Sequence, residues 1–216
     1  MLNSTELIIT NHLSDHIIRD HDLSYLFKGS AARRYALVNK ALRKGELIRI
    51  CRGYYTIATK YQKLALSLYY IANRIIPNSY ITAESALSYY NWIPERITAV
   101  TSIASFGRNR EFDTPLGHFI YRIVPIIPQY FYIGVNSVQI NNQLIYIATP
   151  LRALMDYVYW HKIKGADSNF FQKSLRIEKE NLKKITKQDI KQLQPVYRAK
   201  NVTSFLQNLI NKIENE

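Results

Sequence analysis

Lysine and arginine are the residues here whose types and spacing could do chemistry. Eight of the 25 residues from Lys28 to Arg52 are basic (Lys28, Arg33, Arg34, Lys40, Arg43, Lys44, Arg49, Arg52) and only Glu46 opposes them, so this window carries +7 of the formal +13. Cations at that density suit capture of a polyanion, with guanidinium and ammonium groups meeting DNA phosphates. Catalytic readings find less to work with. Glu111 and Asp113 stand two apart on an expected strand and share a face, as the carboxylates of a metal-dependent nuclease must. No lysine follows them, and ion pairing beside Arg108 and Arg110 at a hairpin end accounts for the pair. His12 and His16 stand four apart with His21 beyond, a metal-like spacing that lacks a third ligand at fitting distance. Seven glycines form no P-loop, and no Ser-His-Asp arrangement is visible. No catalytic, cofactor or metal site is therefore assigned, and the chain does not read as an enzyme.

The basic residues need a scaffold, and the local signals supply one. A helix is expected from about Ala31 to Lys44, with Ser30 as N-cap and Gly45 in the C′ position. Ala31, Tyr35, Val38 and Leu42 fall on one expected apolar stripe, Arg33, Lys40 and Lys44 point the opposite way, and Arg34 and Arg43 lie on the flanks. Leu47 to Ile57 is rich in β-branched and aromatic residues around Gly53, as two short strands of a hairpin with Arg49 and Arg52 near the tip. Upstream, Ser4 to Leu13 reads as a helix, Ile17-Ile18 as an extended piece, and Asp20 or Asp22 as the cap of a short helix through Leu26. Order and spacing predict a winged helix-turn-helix over residues 1–60. On it, Arg33, Lys40 and Lys44, with Ser30 and Arg34, are candidates for the major groove, where arginine can bond twice to guanine. Lys28, Arg43, Arg49 and Arg52 complete the DNA-binding set, the last three as candidates for phosphates.

Composition bounds the rest. At 216 residues and 47% hydrophobic, the chain can bury one good core or two modest ones. Met1 to Glu6 has no basic n-region, and the longest apolar run, Leu64 to Ala72, is less than half of the roughly 20 residues a spanning helix needs. The single Cys51 excludes an internal disulfide and disfavours a thiolate zinc site. A cytoplasmic protein without membrane partners is expected. Residues 1–60, 61–165 and 166–216 carry +5, +4 and +4, from 10, 9 and 10 Lys/Arg against 5, 5 and 6 Asp/Glu.

Beyond Thr59 the expected elements are mixed. Tyr61 to Ile76 reads as a helix, and Thr82 caps a second that carries Ala86, Leu87 and Tyr90. Ile97 to Phe106 reads as a strand that turns at Gly107-Arg108-Asn109 and returns over Arg110 to Thr114, before another over Gly117 to Val124. Asn141-Asn142 signals a tight hairpin between Ser137–Ile140 and Gln143–Ile147. Pro150 opens a helix to His161, in which Asp156 complements the dipole or pairs with Arg152 at i,i+4. A loop over Gly165 to Asn169 leads to short charged helices at Glu178–Lys183, Thr186–Gln194 and Thr203–Ile213. The expected class is α+β: a winged helix-turn-helix over 1–60, then a larger mixed domain over 61–216 whose helical end starts near 166.

Four segments of the chain resemble the AbiEi antitoxins of type IV toxin-antitoxin systems. Gly45 to Tyr55 looks like the family's wing, Tyr80 to Leu87 like its "S-A-L" helix, Arg110 to Gly117 like its mid-domain hairpin, and Ala148 to Asp156 like its "A-T-P-x-x-A-L-x-D" helix start. After Asp167 the match is only a pattern of short charged helices. The resemblance implies a bacterial regulator whose N-terminal domain binds inverted repeats at its own promoter. It also implies a C-terminal domain that counteracts a nucleotidyltransferase-type toxin, without requiring contact. A DNA-acting nuclease and a ligand-sensing repressor with no toxin are the alternatives.

Overall fold

Two hydrophobic clusters organise the chain, which the structure, a computed structural model, describes over residues 1–164 and 168–215. The smaller cluster holds Ile8, Ile18, Leu23, Phe27, Val38, Ala41, Leu47, Tyr55 and Ile57. It is enclosed by α1 (Asn3–Thr10), β1 (Ile18–Arg19), α2 (Asp20–Leu26), α3 (Ala31–Arg43), β2 (Leu47–Cys51) and β3 (Tyr54–Ile57). The strands form an antiparallel sheet in the order β1-β3-β2. This element order agrees with the expectation for residues 1–60.

The linker differs from expectation. A single helix from Tyr61 does not form; a 3₁₀ turn at Thr59–Tyr61 is followed by an extended stretch, and α4 covers only Leu68–Ile75. The stretch is held by partners a helix could not use: Asp15 Oδ1 accepts from the Lys63 and Leu64 amides at 2.7 and 3.0 Å, and Gln143 Oε1 from the Ser67 amide at 2.9 Å. The Ser67 hydroxyl then starts α4 by accepting from the Tyr69 amide.

The larger core is built on a six-stranded sheet in the order β6-β7-β5-β4-β9-β8. Its members are β4 (Ser79–Ile81), β5 (Ala99–Ala104), β6 (Arg110–Thr114), β7 (Gly117–Arg122), β8 (Val135–Ile140) and β9 (Gln143–Ala148). Central β4 is buried at every residue, whereas the edge strands β6 and β8 alternate toward solvent, as strands covered on both faces and on one face should. β6 does not fold back on β5 as the turn at Gly107 suggested. β5 pairs in parallel with β7, and β6 pairs antiparallel with β7. The apolar alternation of Phe119 and Tyr121, both fully buried, wins the inner position for β7 over the polar β6. The Asn141-Asn142 hairpin is as expected, with positive φ of 50° and 60° at its two turn residues.

Helices complete this core: α5 (Ala83–Tyr89), α6 (Pro150–Trp160), α7 (Ser168–Ser174), α8 (Lys179–Leu182), α9 (Lys187–Leu193) and α10 (Lys200–Asn215). Residues 165–167 of the expected loop lie outside the described residues. The C-terminal helices are not an appendage, since Phe171, Ile190, Val202, Phe205 and Leu206 belong to the larger core. Their last member is also not short: α10 has 16 residues. Among the described residues no helix is long and apolar enough to cross a membrane.

At the centre, α6 carries a fully buried Arg152 and a nearly fully buried Asp156. The Arg152 Nε lies 3.6 Å from Asp156 Oδ1, and its Nε and Nη2 donate to the Tyr80 hydroxyl at 3.2 and 2.9 Å. Its Nη1 donates to the Ile133 carbonyl at 3.0 Å. Asp156 accepts from the Tyr80, Thr82 and Tyr197 hydroxyls at 3.0, 2.7 and 2.6 Å. Thr82 therefore does not cap α5 with its side chain; the hydroxyl is spent on Asp156 instead. Burial pushes the Tyr80 and Tyr197 hydroxyls well above the ordinary tyrosine range, so both stay protonated and able to donate. Burial opposes the Arg152 charge, but Tyr197, Tyr80 and Asp156 more than offset it and the guanidinium pKa rises.

Gly134 sits against this cluster with φ +70°, and a Cβ there would meet Leu193 Cδ2 at 2.8 Å and Arg152 Cβ at 3.3 Å. Gly134→Ala is expected to cost about 1–3 kcal/mol from backbone strain and overpacking together. A chemical-denaturation midpoint equal to wild type would contradict this.

Candidate nucleic-acid interface

Phe27-Lys28-Gly29-Ser30 turns the chain from α2 into α3, and the Ser30 hydroxyl accepts from the Arg33 amide at 3.3 Å. That bond leaves the Ser30 hydroxyl hydrogen free to donate. The Arg33 side chain folds over the turn, its Cδ 3.3 Å from where a Gly29 Cβ would lie.

The face that α3 turns inward is not the expected one. Val38 and Ala41 are buried and Arg34, Leu37 and Leu42 half-buried, while Ala31 is exposed and Tyr35 is 68% exposed. The spacing 34, 37, 38, 41, 42 is an equally good helical stripe; the small Ala41 seats α3 closely against its neighbours, and Tyr35 keeps its hydroxyl in water. The outward face is therefore centred on Ala32, Ala36, Asn39 and Arg43, flanked by Arg33 and Lys40 on one side and Tyr35 on the other. Arg34 moves to the inner flank. Small residues along the centre let a helix approach a groove closely, and Asn39 offers the amide pattern that reads adenine. Charge marks Arg and Lys in the sequence but not Asn39 or Tyr35, whose exposure depends on how the helix is rotated.

The hairpin is positioned by both cores. Leu47, Tyr55 and Ile57 join the smaller cluster, while Ile50 joins the larger one with Cys51 and Tyr54 packed against it. Strand alternation already puts Ile50 on the face opposite Leu47, and a register shift between Arg49 and Cys51 brings Cys51, paired with Tyr54, to the face of Ile50. Arg49 and Arg52 remain exposed. The turn is tied back to α2, since the Asp20 amide donates to the Gly53 carbonyl at 3.0 Å. The Tyr55 hydroxyl is pushed up by burial first, then by Asp20, with Arg49 opposing and Tyr35 adding to the rise. One side chain thus has the starts of α2 and α3 and the hairpin around it.

Seven of the eight cations between Lys28 and Arg52 are exposed, and none is in an ion pair among the described residues. Glu46, the one acid among them, is turned inward and 8% exposed. The nearby Thr5 side chain and the Leu2 amide hold its carboxyl below the ordinary range, and of the two the Leu2 amide donates to it, at 2.9 Å. Glu46 therefore does not screen the cations around it, while the Asp20 carboxylate lies beside the hairpin turn, its Oδ2 3.2 Å from where a Gly53 Cβ would be.

No protein-family model matches the chain. No curated protein matches it either. The four motif segments of the sequence, Gly45 to Tyr55, Tyr80 to Leu87, Arg110 to Gly117 and Ala148 to Asp156, fall on the β2-β3 hairpin, on β4 and α5, on β6 with its turn into β7, and on the end of β9 with the start of α6. Two of them meet in space: Tyr80 and Thr82 from one contact Arg152 and Asp156 from another.

The other candidate sites are built differently from expectation. Glu111 Oε1 accepts from Arg122 Nη2 at 2.6 Å and Asp113 Oδ1 lies 2.5 Å from His118 Nδ1, so each carboxylate is paired across the strand with β7 and not with Arg108 or Arg110. Among the described residues no group of three or more His, Cys, Asp or Glu is arranged to hold a metal. Glu84, in the first turn of α5, faces His161 Nε2 at 3.8 Å. Trp92 is buried in the core, whereas Trp160 is partly exposed under the Arg122 guanidinium.

Proposed function

We propose that this chain is a DNA-binding transcriptional repressor and antitoxin. Its N-terminal unit, read as a winged helix-turn-helix, binds inverted repeats in double-stranded promoter DNA with α3 in the major groove and the β2-β3 hairpin on the backbone. The observation that supports this most is the exposed, unpaired cation set with Glu46 withdrawn from it. Through the AbiEi resemblance, the larger domain is assigned the task of counteracting a nucleotidyltransferase-type toxin, with no direct contact required. The reading gives the chain no catalytic step, and cytoplasmic placement belongs to the same proposal.

Salt dependence tests the DNA half. If about five phosphates are neutralised per protomer, log Kd against log salt should have a slope of magnitude about 4 to 5. Arg49→Ala or Arg52→Ala should reduce that magnitude by about one and leave sequence preference intact. An unchanged slope in both variants would remove the hairpin from the interface.

A specific observation favours a second reading, a ligand-sensing repressor. A cleft of about 560 Å³ lies between the two units, lined by Arg19 and Tyr54 from one and by Tyr70, Arg74, Tyr132 and Tyr146 from the other. An effector bound there would touch both units at once.

A further inference from the structure

A second basic concavity lies on the larger domain, away from the residues assigned to DNA. It is a cavity of about 560 Å³ lined by Arg122, Tyr159, Trp160, Lys162, Lys164 and Lys200 among others. The volume falls in the range of small-ligand sites. Three separate segments bring the four cations together: β7, the turn after α6 and the start of α10. Among the described residues, none of those lining it is acidic. Like charges gathered in a concavity repel one another, and an anion relieves that repulsion. The three lysines are exposed and carry no ion pair among the described residues. The first turn of the 16-residue α10 holds no acid, so its amides add to the positive field at the same place.

Arg122 fixes the geometry. Its Nη2 is held by Glu111 at 2.6 Å, its guanidinium lies 4.8 Å from the centre of the Trp160 ring, and its Nε is buried without a hydrogen-bond partner. The half-buried Tyr159 and Trp160 give the cavity an aromatic wall beside its cations. Lysines suit phosphate as point charges, and an aromatic wall suits a nucleobase.

We propose that this cavity binds a phosphorylated nucleoside, with the phosphates at Lys162, Lys164, Lys200 and the start of α10 and the base against Tyr159 and Trp160. The ligand is either a free nucleotide or the phosphorylated end of a nucleic-acid strand. The inference rests on the larger domain alone and stands apart from promoter binding.

Calorimetric titration of the full chain with ATP, GTP, CTP, UTP and inorganic tripolyphosphate tests it, alongside a Lys162→Ala/Lys200→Ala double variant. Both substitutions are at exposed positions and leave the core intact. At least one nucleoside triphosphate should bind more tightly than tripolyphosphate, and the double variant should lose about tenfold or more in affinity. Competition by a short 5′-phosphorylated oligonucleotide, but not by its unphosphorylated form, supports the site with a strand end as its ligand; no competition supports it with free nucleotide. Absence of binding by every nucleotide and oligonucleotide overturns the proposal. So does a double variant that binds as tightly as the parent, or tripolyphosphate that binds as tightly as every nucleotide.

Discussion

Asp156→Ala should be the most destabilising single substitution in the larger domain, costing about 3–5 kcal/mol by removing one partner from a buried ion pair. Three hydroxyls, those of Tyr80, Thr82 and Tyr197, would lose their common acceptor, and a fully buried Arg152 would lose its counter-charge. Against a total stability of about 5–15 kcal/mol, that is enough to populate the unfolded state. Replacing both charges by apolar residues, Arg152→Met with Asp156→Leu, should cost less than the single change, because no unpaired charge then remains buried. Tyr197→Phe removes one hydroxyl, 2.6 Å from Asp156 Oδ1 and 3.4 Å from the Arg152 carbonyl, and should cost about 1–3 kcal/mol. Urea midpoints by far-ultraviolet circular dichroism order the three. Asp156→Ala unfolding no earlier than Tyr197→Phe would show that the pair does not hold the domain together.

The i,i+4 spacing of Arg152 and Asp156 was enough to pair them from sequence, but not to bury them. Burial depends on Tyr80 and Tyr197, which lie 72 residues before Arg152 and 41 residues after Asp156. β4 was missed for the same reason. Three residues, Ser79 to Ile81, carry no periodicity of their own and become a strand because β5 and β9 flank them. Local signals that close within a few residues are legible in the sequence: Ser30 as a cap, Asn141-Asn142 as a turn, Pro150 at a helix start. On α3 the elements were right and the rotation wrong, since Tyr35 suits an inward or an outward stripe and only packing against α1 and α2 decides between them. The exposed cations were legible because charge needs no long-range partner to be counted, whereas the role of Asn39 needed the rotation first.

That corrected rotation makes the sharper prediction for DNA. Arg33, Lys40 and Arg43 now border or lie on the outward face, so the triple substitution Arg33→Glu/Lys40→Glu/Arg43→Glu should weaken promoter binding by about a thousandfold or more, at about 1–3 kcal/mol per lost contact. Their exposure means that the fold should survive, with an unchanged denaturation midpoint as the control. Asn39→Ala should behave differently: an affinity loss confined to operators with adenine at one position, worth about 1–3 kcal/mol, and little change on non-specific DNA. The two variants separate electrostatic capture from base reading. They also separate the two halves of the proposal, because the triple variant should lose repression of its own promoter while still relieving growth arrest by a co-expressed nucleotidyltransferase-type toxin of the proposed class. Retained promoter affinity in the triple variant would take α3 out of the groove. Loss of both activities with the fold intact would instead mean that the larger domain acts through the same DNA-bound state.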